Sequence, residues 1–214
     1  MKLKVCGMKY PENMQAIIRL SPDFLGLIFY PKSPRYMAET MKPEDVQNIP
    51  PAIKKVGVFV NESVSEISKR VNEYSLDLVQ LHGDESPDFC KQVKATGVDV
   101  IKVFHIDANV DWEQLRIYQP FTDYFLFDTK SKNYGGTGKS FNWEILNGYD
   151  LEKPYFLGGG VSLENIDMVK KIGKNGPLVL DVNSRFETKP GYKDITLLAK
   201  LTEKLGLDFQ ETKN

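Results

Sequence analysis

The stretch KKVGVFVNESVSEISKRVNEYSLDLVQLHG at residues 54–83 contains one complete strand–helix–strand unit. Its two ends, KKVGVFV (54–60) and LDLVQLHG (76–83), are nearly continuous apolar runs, as in parallel strands buried on both faces. Between them, VSEISKRVNEY (64–74) carries apolar residues at helical spacing, and Ser63 precedes it as a helix N-cap. The stretch is therefore interpreted as a βαβ unit.

The same alternation of strand and helix patterns continues along the whole chain. The other predicted strands are LKVCG (3–7), FLGLIFY (24–30), DVIKVFHI (99–106), DYFLFDT (123–129), PYFLGGG (154–160) and PLVLDVN (177–183). The other helical patterns cover 11–20, 42–49, 86–95, 111–118, 141–146, 163–172 and 194–205. Eight strands in strict alternation with about eight helices predict an α/β protein, a single (β/α)8 TIM barrel over residues 1–206 with a frayed tail at 207–214. The alternative is an open doubly wound sheet, which is disfavoured because no dinucleotide fingerprint follows an early strand.

The composition of the 214 residues excludes several classes of protein. Lys plus Arg total 28 and Asp plus Glu total 29, a balance that argues against a dedicated nucleic-acid binder. Cys6 and Cys90 are too few for a disulfide framework or a four-ligand zinc site. The N-terminus lacks the apolar run of a signal peptide, and the longest apolar run is too short to span a bilayer. We expect a cytoplasmic protein with reduced thiols and no membrane or nucleic-acid partner.

Polar residues stand at the carboxyl ends of several predicted strands, where barrel enzymes hold their active sites. Cys6, His82, Asp128 and Asp181 end four different strands, and Gln80 shares a strand face with His82. If those faces point inward, the side chains ring one mouth of the barrel. A thiol and a carboxylic acid facing each other can serve as base and acid, without a metal or a redox cofactor. The thiolate would need help from a cation or from backbone donors.

Each of these residues also has a purely structural interpretation. A cysteine on a buried strand is commonly a small hydrophobic residue, which is how we interpret Cys90 in its helix. A strand-end histidine can serve only as a hydrogen-bonding residue, and a strand-end aspartate can simply form a turn. The convergence of these residues on one predicted rim favours the functional interpretation.

Glycines after the seventh strand indicate the kind of ligand. LGGG at 157–160 exposes backbone N–H groups, and Ser184 adds a donor after the eighth strand, so a phosphorylated small substrate is predicted. GGTGKS at 135–140 looks like a P-loop, but Asn133 stands where that motif requires glycine. We interpret this segment as a loop that closes over a ligand.

Seven blocks of sequence, in order, resemble one enzyme family. They are KVCGM (4–8), IFYPKSPRYM (28–37), VGVFVN (56–61), VQLHGDE (79–85), FDTK (127–130) with GGTGKSFNW (135–143), LGGGVSLENI (157–166) and DVNSRFETKPGYKD (181–194). Together they resemble phosphoribosylanthranilate isomerase of tryptophan biosynthesis over nearly the whole chain. The resemblance implies a (β/α)8 barrel that isomerises N-(5-phosphoribosyl)anthranilate to 1-(2-carboxyphenylamino)-1-deoxyribulose 5-phosphate by an Amadori rearrangement, with no cofactor or metal.

The resemblance also implies roles for individual residues. Cys6 corresponds to the general base of the family, and Asp128 corresponds to its general acid. Arg35 would pair with the anthranilate carboxylate, since a guanidinium fork suits a planar carboxylate. We expect the substrate-binding residues to be Arg35, Gln80, His82 and Asp181, and the phosphate-binding residues to be Gly159, Gly160, Ser184 and Arg185.

The loop after the eighth strand departs from the family pattern. The family usually reads DVSSGVE there, whereas this chain reads DVNSRFE, with Asn183 for a serine and Arg185 for a glycine. Either Arg185 is strained at a position that needs a positive φ, or it adds a cation beside the phosphate.

Three other functions are considered. An indole-glycerol phosphate synthase would need a lysine and a glutamate at strand ends. A ribulose-phosphate epimerase would need metal-binding histidines and aspartates on several strands, and a His-rich metal site is not expected from the two histidines of the chain, His82 and His105. A non-catalytic barrel that binds a phosphorylated metabolite, or a scaffold, would need neither Cys6 nor Asp128. We expect a monomer, with a dimer as the alternative.

Overall fold

The computed structural model describes residues 1–107, 109–129, 143–169, 171–172 and 176–207. Its strands are β1 (Lys2–Cys6), β2 (Phe24–Ile28), β3 (Lys54–Phe59), β4 (Leu78–Leu81), β5 (Asp99–Ile106), β6 (Tyr124–Thr129), β7 (Tyr155–Gly158) and β8 (Val179–Val182). These strands are parallel and pair in chain order, and β8 pairs with β1 to close the barrel. The predicted barrel is therefore confirmed over the open sheet.

Helices follow the strands as the sequence predicts. They are α1 (Pro11–Ile18), α2 (Pro43–Gln47), α3 (Val64–Tyr74), α4 (Pro87–Lys94), α5 (Trp112–Arg116), α6 (Ile166–Val169) and α7 (Ile195–Leu205), with a 3-10 helix at Trp143–Gly148 in place of the helix predicted over 141–146. Ser63, Ser86 and Asp194 cap α3, α4 and α7, each accepting a hydrogen bond from a backbone N–H of the first turn. No helix in the described part of the chain is long and apolar enough to cross a membrane.

Two apolar layers hold the barrel together. The larger layer fills the space between the sheet and the surrounding helices. The smaller layer lies inside the barrel and includes Leu78, Leu126 and Val179. Because side chains alternate along a strand, the residues two positions further on also face inward. Gln80, Asp128 and Asp181 occupy those positions, so the apolar interior gives way to polar groups toward the carboxyl ends of the strands.

The opposite end of the barrel is secured by aspartates. Asp23, Asp77 and Asp123 stand just before β2, β4 and β6. Each carboxylate accepts a hydrogen bond of 2.8 Å from a backbone N–H of the neighbouring strand. This end of the fold contributes to stability, and the carboxyl ends of the strands are left for function.

A hairpin that the sequence did not predict follows β8. It consists of β9 (Glu187–Lys189) and β10 (Tyr192–Lys193), joined at Gly191, whose φ is +81°. The side chain of Asn13 in α1 bonds both the N–H and the C=O of Lys193. The hairpin therefore packs against α1 and carries two charged residues, Glu187 and Lys193, to the end of β1.

Several predicted segments fall partly or wholly outside the described residues. The loop predicted to close over a ligand, 135–140, lies wholly outside them. The helical patterns at 141–146 and 163–172 include the undescribed residues 141–142 and 170, and only Leu207 of the predicted tail at 207–214 is described.

Candidate active site

Cys6 ends β1 with its side chain buried inside the barrel mouth. Gly26 of β2 lies beside it in the sheet, and a Cβ at that position would come within 2.6 Å of the Cys6 Sγ. Gly7 follows with a φ of +76°, which turns the chain out of the barrel. The thiol is thus held in a space that glycine on the neighbouring strand leaves open.

A fully buried lysine lies beneath the thiol. Lys4 precedes Cys6 by two residues, so both side chains point into the barrel. Its Nζ donates hydrogen bonds to Gln80 Oε1 at 2.7 Å and to Asp181 Oδ1 at 3.0 Å, and it lies within hydrogen-bonding reach of Cys6. Lys4 therefore connects three of the predicted site residues, which lie on β1, β4 and β8.

The charges of this cluster set the protonation of Lys4 and Cys6. Burial alone would lower the pKa of Lys4, but the Asp181 carboxylate and Cys6 outweigh it and hold that pKa above its usual value. Burial raises the pKa of the Cys6 thiol, and Asp181 adds to this effect. Lys4 and Lys193 act in the opposite direction because their charges favour the thiolate. Lys4 and Lys193 are therefore the nearby cations that a cysteine needs in order to act as a base.

Asp128 lies at the end of β6 beside both histidines of the chain. Its Oδ2 is 3.5 Å from His82 Nε2 and 3.6 Å from His105 Nδ1, and Gln80 Nε2 is 2.9 Å from His82 Nδ1. The donor atoms of His82, His105 and Asp128 all lie within 4.8 Å of one another, a spacing at which such residue types can hold a metal ion. In the sequence, two histidines looked too few for a metal site. The structure brings them together, since His82 follows β4 and His105 lies in β5.

Arg35 lies in the loop after β2 and crosses the end of β1. A Cβ on Gly7 would lie 2.8 Å from Arg35 Cδ. The guanidinium donates to both carboxylate oxygens of Glu187, at 2.6–3.0 Å, and Glu187 also accepts a bond of 2.6 Å from Lys193 Nζ. Glu187 itself is almost buried, and although burial raises its pKa, Arg35 and Lys193 together bring that pKa below its usual value. The ionised Glu187 thus holds Arg35 beside Gly7, the residue that follows Cys6.

Loops after β7 and β8 contain the predicted phosphate-binding residues. Gly159 and Gly160 have φ values of +76° and +83°, which glycine adopts without strain. The Asn165 side chain bridges this loop, since it accepts from the Ser162 N–H and donates to the Gly160 carbonyl, each at 2.8 Å. After β8, exposed Ser184 begins a 3-10 helix at Ser184–Phe186.

The structure corrects one interpretation of Arg185. This residue is exposed in the 3-10 helix and does not have a positive φ, so the proposal that it is strained at a glycine position is wrong. The hydrogen bond from Ser162 is the main cause that lowers the pKa of Glu164 in the loop after β7, and the charge of Arg185 acts in the same direction. The neighbouring Asn183 accepts a hydrogen bond of 2.7 Å from Lys193 Nζ.

Comparison with known proteins assigns the chain to a family. The family model described as N-(5'phosphoribosyl)anthranilate (PRA) isomerase matches residues 3–204. The chain belongs to this family. An isomerase of that name from Parabacteroides distasonis is 39% identical over 208 residues, which is 96% of this chain and 93% of the relative.

Solved structures of phosphoribosylanthranilate isomerases have the same fold. The crystal structure from Thermotoga maritima has a TM-score of 0.82 and 34% identity, and the match covers 97% of this chain and 100% of that one. A second isomerase structure is a complex with reduced 1-(o-carboxyphenylamino)-1-deoxyribulose 5-phosphate, with a TM-score of 0.80 and 31% identity over the same shares of the two chains.

Sequence reasoning missed three charged residues of this candidate site. Lys4 could have been found from strand alternation, because it lies on the same strand face as Cys6. Glu187 and Lys193 flank a Pro-Gly turn, a signal for the hairpin, but nothing in the local pattern aims them at β1. Their position depends on how the hairpin packs against α1.

Replacing Lys4 tests its effect on the thiol. In a Cys90→Ser background, which leaves Cys6 as the only cysteine, Lys4→Met should raise the pKa of Cys6 further because a stabilising charge is lost. Thiolate absorbance in the ultraviolet, followed against pH, measures the change. Lys2→Met removes an exposed lysine from the same strand and should leave the titration unaltered. An unchanged titration in Lys4→Met would contradict the assignment.

Proposed function

We propose that the protein converts N-(5-phosphoribosyl)anthranilate to 1-(2-carboxyphenylamino)-1-deoxyribulose 5-phosphate, with Cys6 as general base and Asp128 as general acid. Membership of the isomerase family supports the reaction. The observation that carries the assignment of the two residues is their position. Each ends a strand on the interior face of the barrel, at the same mouth, and the chain of polar contacts through Lys4, Gln80 and His82 links them.

The reaction then begins with two proton transfers, one to the ring oxygen and one from C2. Asp128 donates its proton to the furanose ring oxygen while the C1–O bond breaks, which leaves an open-chain Schiff base and an aspartate anion. The Cys6 thiolate next removes the proton from C2, and the electron pair forms the enolamine. The enolamine then gains a proton at C1 and loses the proton of its C2 hydroxyl as the C2=O bond forms, which gives the aminoketose product. Both steps are acid–base chemistry, so the proposal requires no metal or redox cofactor.

Arg35 is proposed to bind the anthranilate carboxylate. Its bidentate pair with Glu187 fixes the plane of the guanidinium near the end of β1, and a fixed guanidinium plane suits a planar carboxylate. Gln80, His82 and Asp181 remain the residues expected to contact the sugar. Their common feature is a place in the polar network around Lys4.

The phosphate is proposed to lie between the loops after β7 and β8. Gly159 and Gly160 present backbone N–H groups there without side chains, and Ser184 and Arg185 are exposed on the facing loop. One isomerase of the family is solved with a reduced phosphosugar product, which supports a phosphate site in this fold.

We also propose that the enzyme works in the cytoplasm as a monomer. Cys6 and Cys90 are both free and buried, as expected in a reducing compartment. Light scattering of the purified protein distinguishes the monomer from the alternative dimer.

Replacing the acid and the base tests the mechanism. Cys6→Ser substitutes an alcohol whose pKa is far above that of a thiol, and Asp128→Asn removes the proton donor. Each should lower turnover by about 100-fold or more and leave the melting temperature nearly unchanged. The assay follows the loss of substrate fluorescence, with Cys90→Ser as the matched control. Turnover close to that of the parent enzyme would remove the residue from the mechanism.

The same assignment predicts a pH dependence. Burial raises the pKa of Cys6, so the free enzyme holds a thiol at neutral pH and gains the thiolate as the pH rises. We expect kcat/KM to increase with pH up to the thiol pKa, and this increase should disappear in Cys6→Ser. A profile that is flat from neutral to mildly alkaline pH would contradict this prediction.

Replacing Arg35 separates substrate binding from chemistry. Arg35→Met keeps the apolar stem and removes the charge, so KM should rise about tenfold or more while kcat changes little. Steady-state kinetics measure both constants, and Arg19→Met, at an exposed helix end, is the control. If KM stays at its parent value, Arg35 does not bind the substrate carboxylate.

Arg185 is tested through the salt dependence of product binding. Arg185→Met should weaken product affinity by about three- to tenfold at low salt and by less at high salt, since salt screens an exposed charge. Because its φ is not positive, Arg185→Gly should not stabilise the fold. Product titration at two salt concentrations, beside a denaturant melt, checks both statements. Equal affinity of parent and variant at both concentrations would exclude a phosphate contact.

A further inference from the structure

Gln80 lies between Lys4 and His82, and its two neighbours fix the orientation of its amide. The Lys4 ammonium is a donor only, and it donates to Gln80 Oε1 at 2.7 Å. The amide nitrogen of Gln80 therefore faces His82 Nδ1, at 2.9 Å. A flipped amide would place its N–H groups against the ammonium. Since Lys4 and Gln80 are both buried, no water can relieve that repulsion.

This orientation decides which nitrogen of His82 holds the proton. The amide N–H of Gln80 is a donor, so His82 Nδ1 must act as the acceptor. A neutral imidazole has one N–H group, and here that group must be at Nε2. Nε2 is the atom that faces Asp128 Oδ2, at 3.5 Å.

We propose that Gln80 is a positioning residue that holds His82 as the Nε2–H tautomer, with the N–H directed at Asp128. The consequence for catalysis rests on the proposed function of Asp128 as the acid. Once Asp128 has given its proton to the ring oxygen, it is an anion, and a fixed N–H beside it stabilises that charge. The other tautomer would direct a nitrogen lone pair at the carboxylate instead.

The same tautomer disfavours metal binding at the mouth of the barrel. The donor atoms of His82, His105 and Asp128 are close enough to hold a transition-metal ion. A zinc ion would need the lone pair of His82 Nε2, which the Nε2–H tautomer uses for its proton. Gln80→Glu reverses this arrangement. The new carboxylate accepts from Lys4 and from an Nδ1–H of His82, which leaves the Nε2 lone pair available.

The first test reads the tautomer directly in the unmodified enzyme. Nitrogen-15 chemical shifts distinguish a protonated ring nitrogen from an unprotonated one, and His105→Asn assigns the signals because only two histidines are present. We expect His82 to have the proton on Nε2 and an unprotonated Nδ1. A proton on Nδ1, or an equal mixture of tautomers, would overturn the proposal whatever the role of Asp128 is.

The second test uses Gln80→Glu, with Gln15→Glu as the matched control on an exposed position of α1. In Gln80→Glu the proton of His82 should move to Nδ1, kcat should fall about tenfold and by a larger factor than KM rises, and zinc affinity by calorimetry should tighten at least about tenfold. Gln15→Glu should match the parent enzyme in all three measurements. A fall in kcat without a change of tautomer, or equal zinc affinity in both variants, would contradict the proposal.

The two hypotheses fail in different ways. If Asp128→Asn keeps its turnover while His82 is the Nε2–H tautomer, the acid assignment fails and the positioning by Gln80 holds. If Asp128→Asn loses turnover while His82 carries its proton on Nδ1, the positioning fails and the acid assignment holds. A melting curve shows whether Gln80→Glu folds, and the measurement on the unmodified enzyme decides the proposal if it does not.

Discussion

The ammonium of Lys4, buried inside the barrel, is the group on which the arrangement of the site depends. A buried charge must be surrounded by partners, and Lys4 takes them from β4 and β8 and from Cys6 on its own strand. Removing the lysine would leave the Asp181 carboxylate without its cation and Gln80 without a fixed orientation. The charge therefore ties Cys6 to the residues that lie beside Asp128.

A second buried set of charges supports the same thiol from the hairpin. Glu187 accepts hydrogen bonds from Arg35 and Lys193. The charge of Lys193 also favours the thiolate of Cys6. In this way the cations that act on the thiol come from β1 and β10, which are almost 190 residues apart in sequence. Charge–charge interactions are strongest where water is excluded, so the positions of these charged groups matter more than their number.

The two ends of the barrel differ in function: one contains stabilising contacts and the other contains the candidate site. Aspartates before β2, β4 and β6 bond backbone N–H groups and fasten the end away from the site. At the other end, Gly7 and Gly26 leave space for Arg35 and for the thiol, and Gly159 and Gly160 adopt positive φ values in the loop after β7. Stability and chemistry are thus placed at opposite ends of the same strands.

The sequence by itself determined the barrel, because eight apolar strand patterns alternate with helical ones, and hydrophobic periodicity is a local property. It also placed Cys6, Gln80, His82, Asp128 and Asp181 on one rim through strand alternation. Only the tertiary structure decided that Lys4 joins them, that Glu187 holds Arg35, and that both histidines meet at Asp128. Those contacts join groups on different elements, and their distances depend on how the barrel closes and how the hairpin packs.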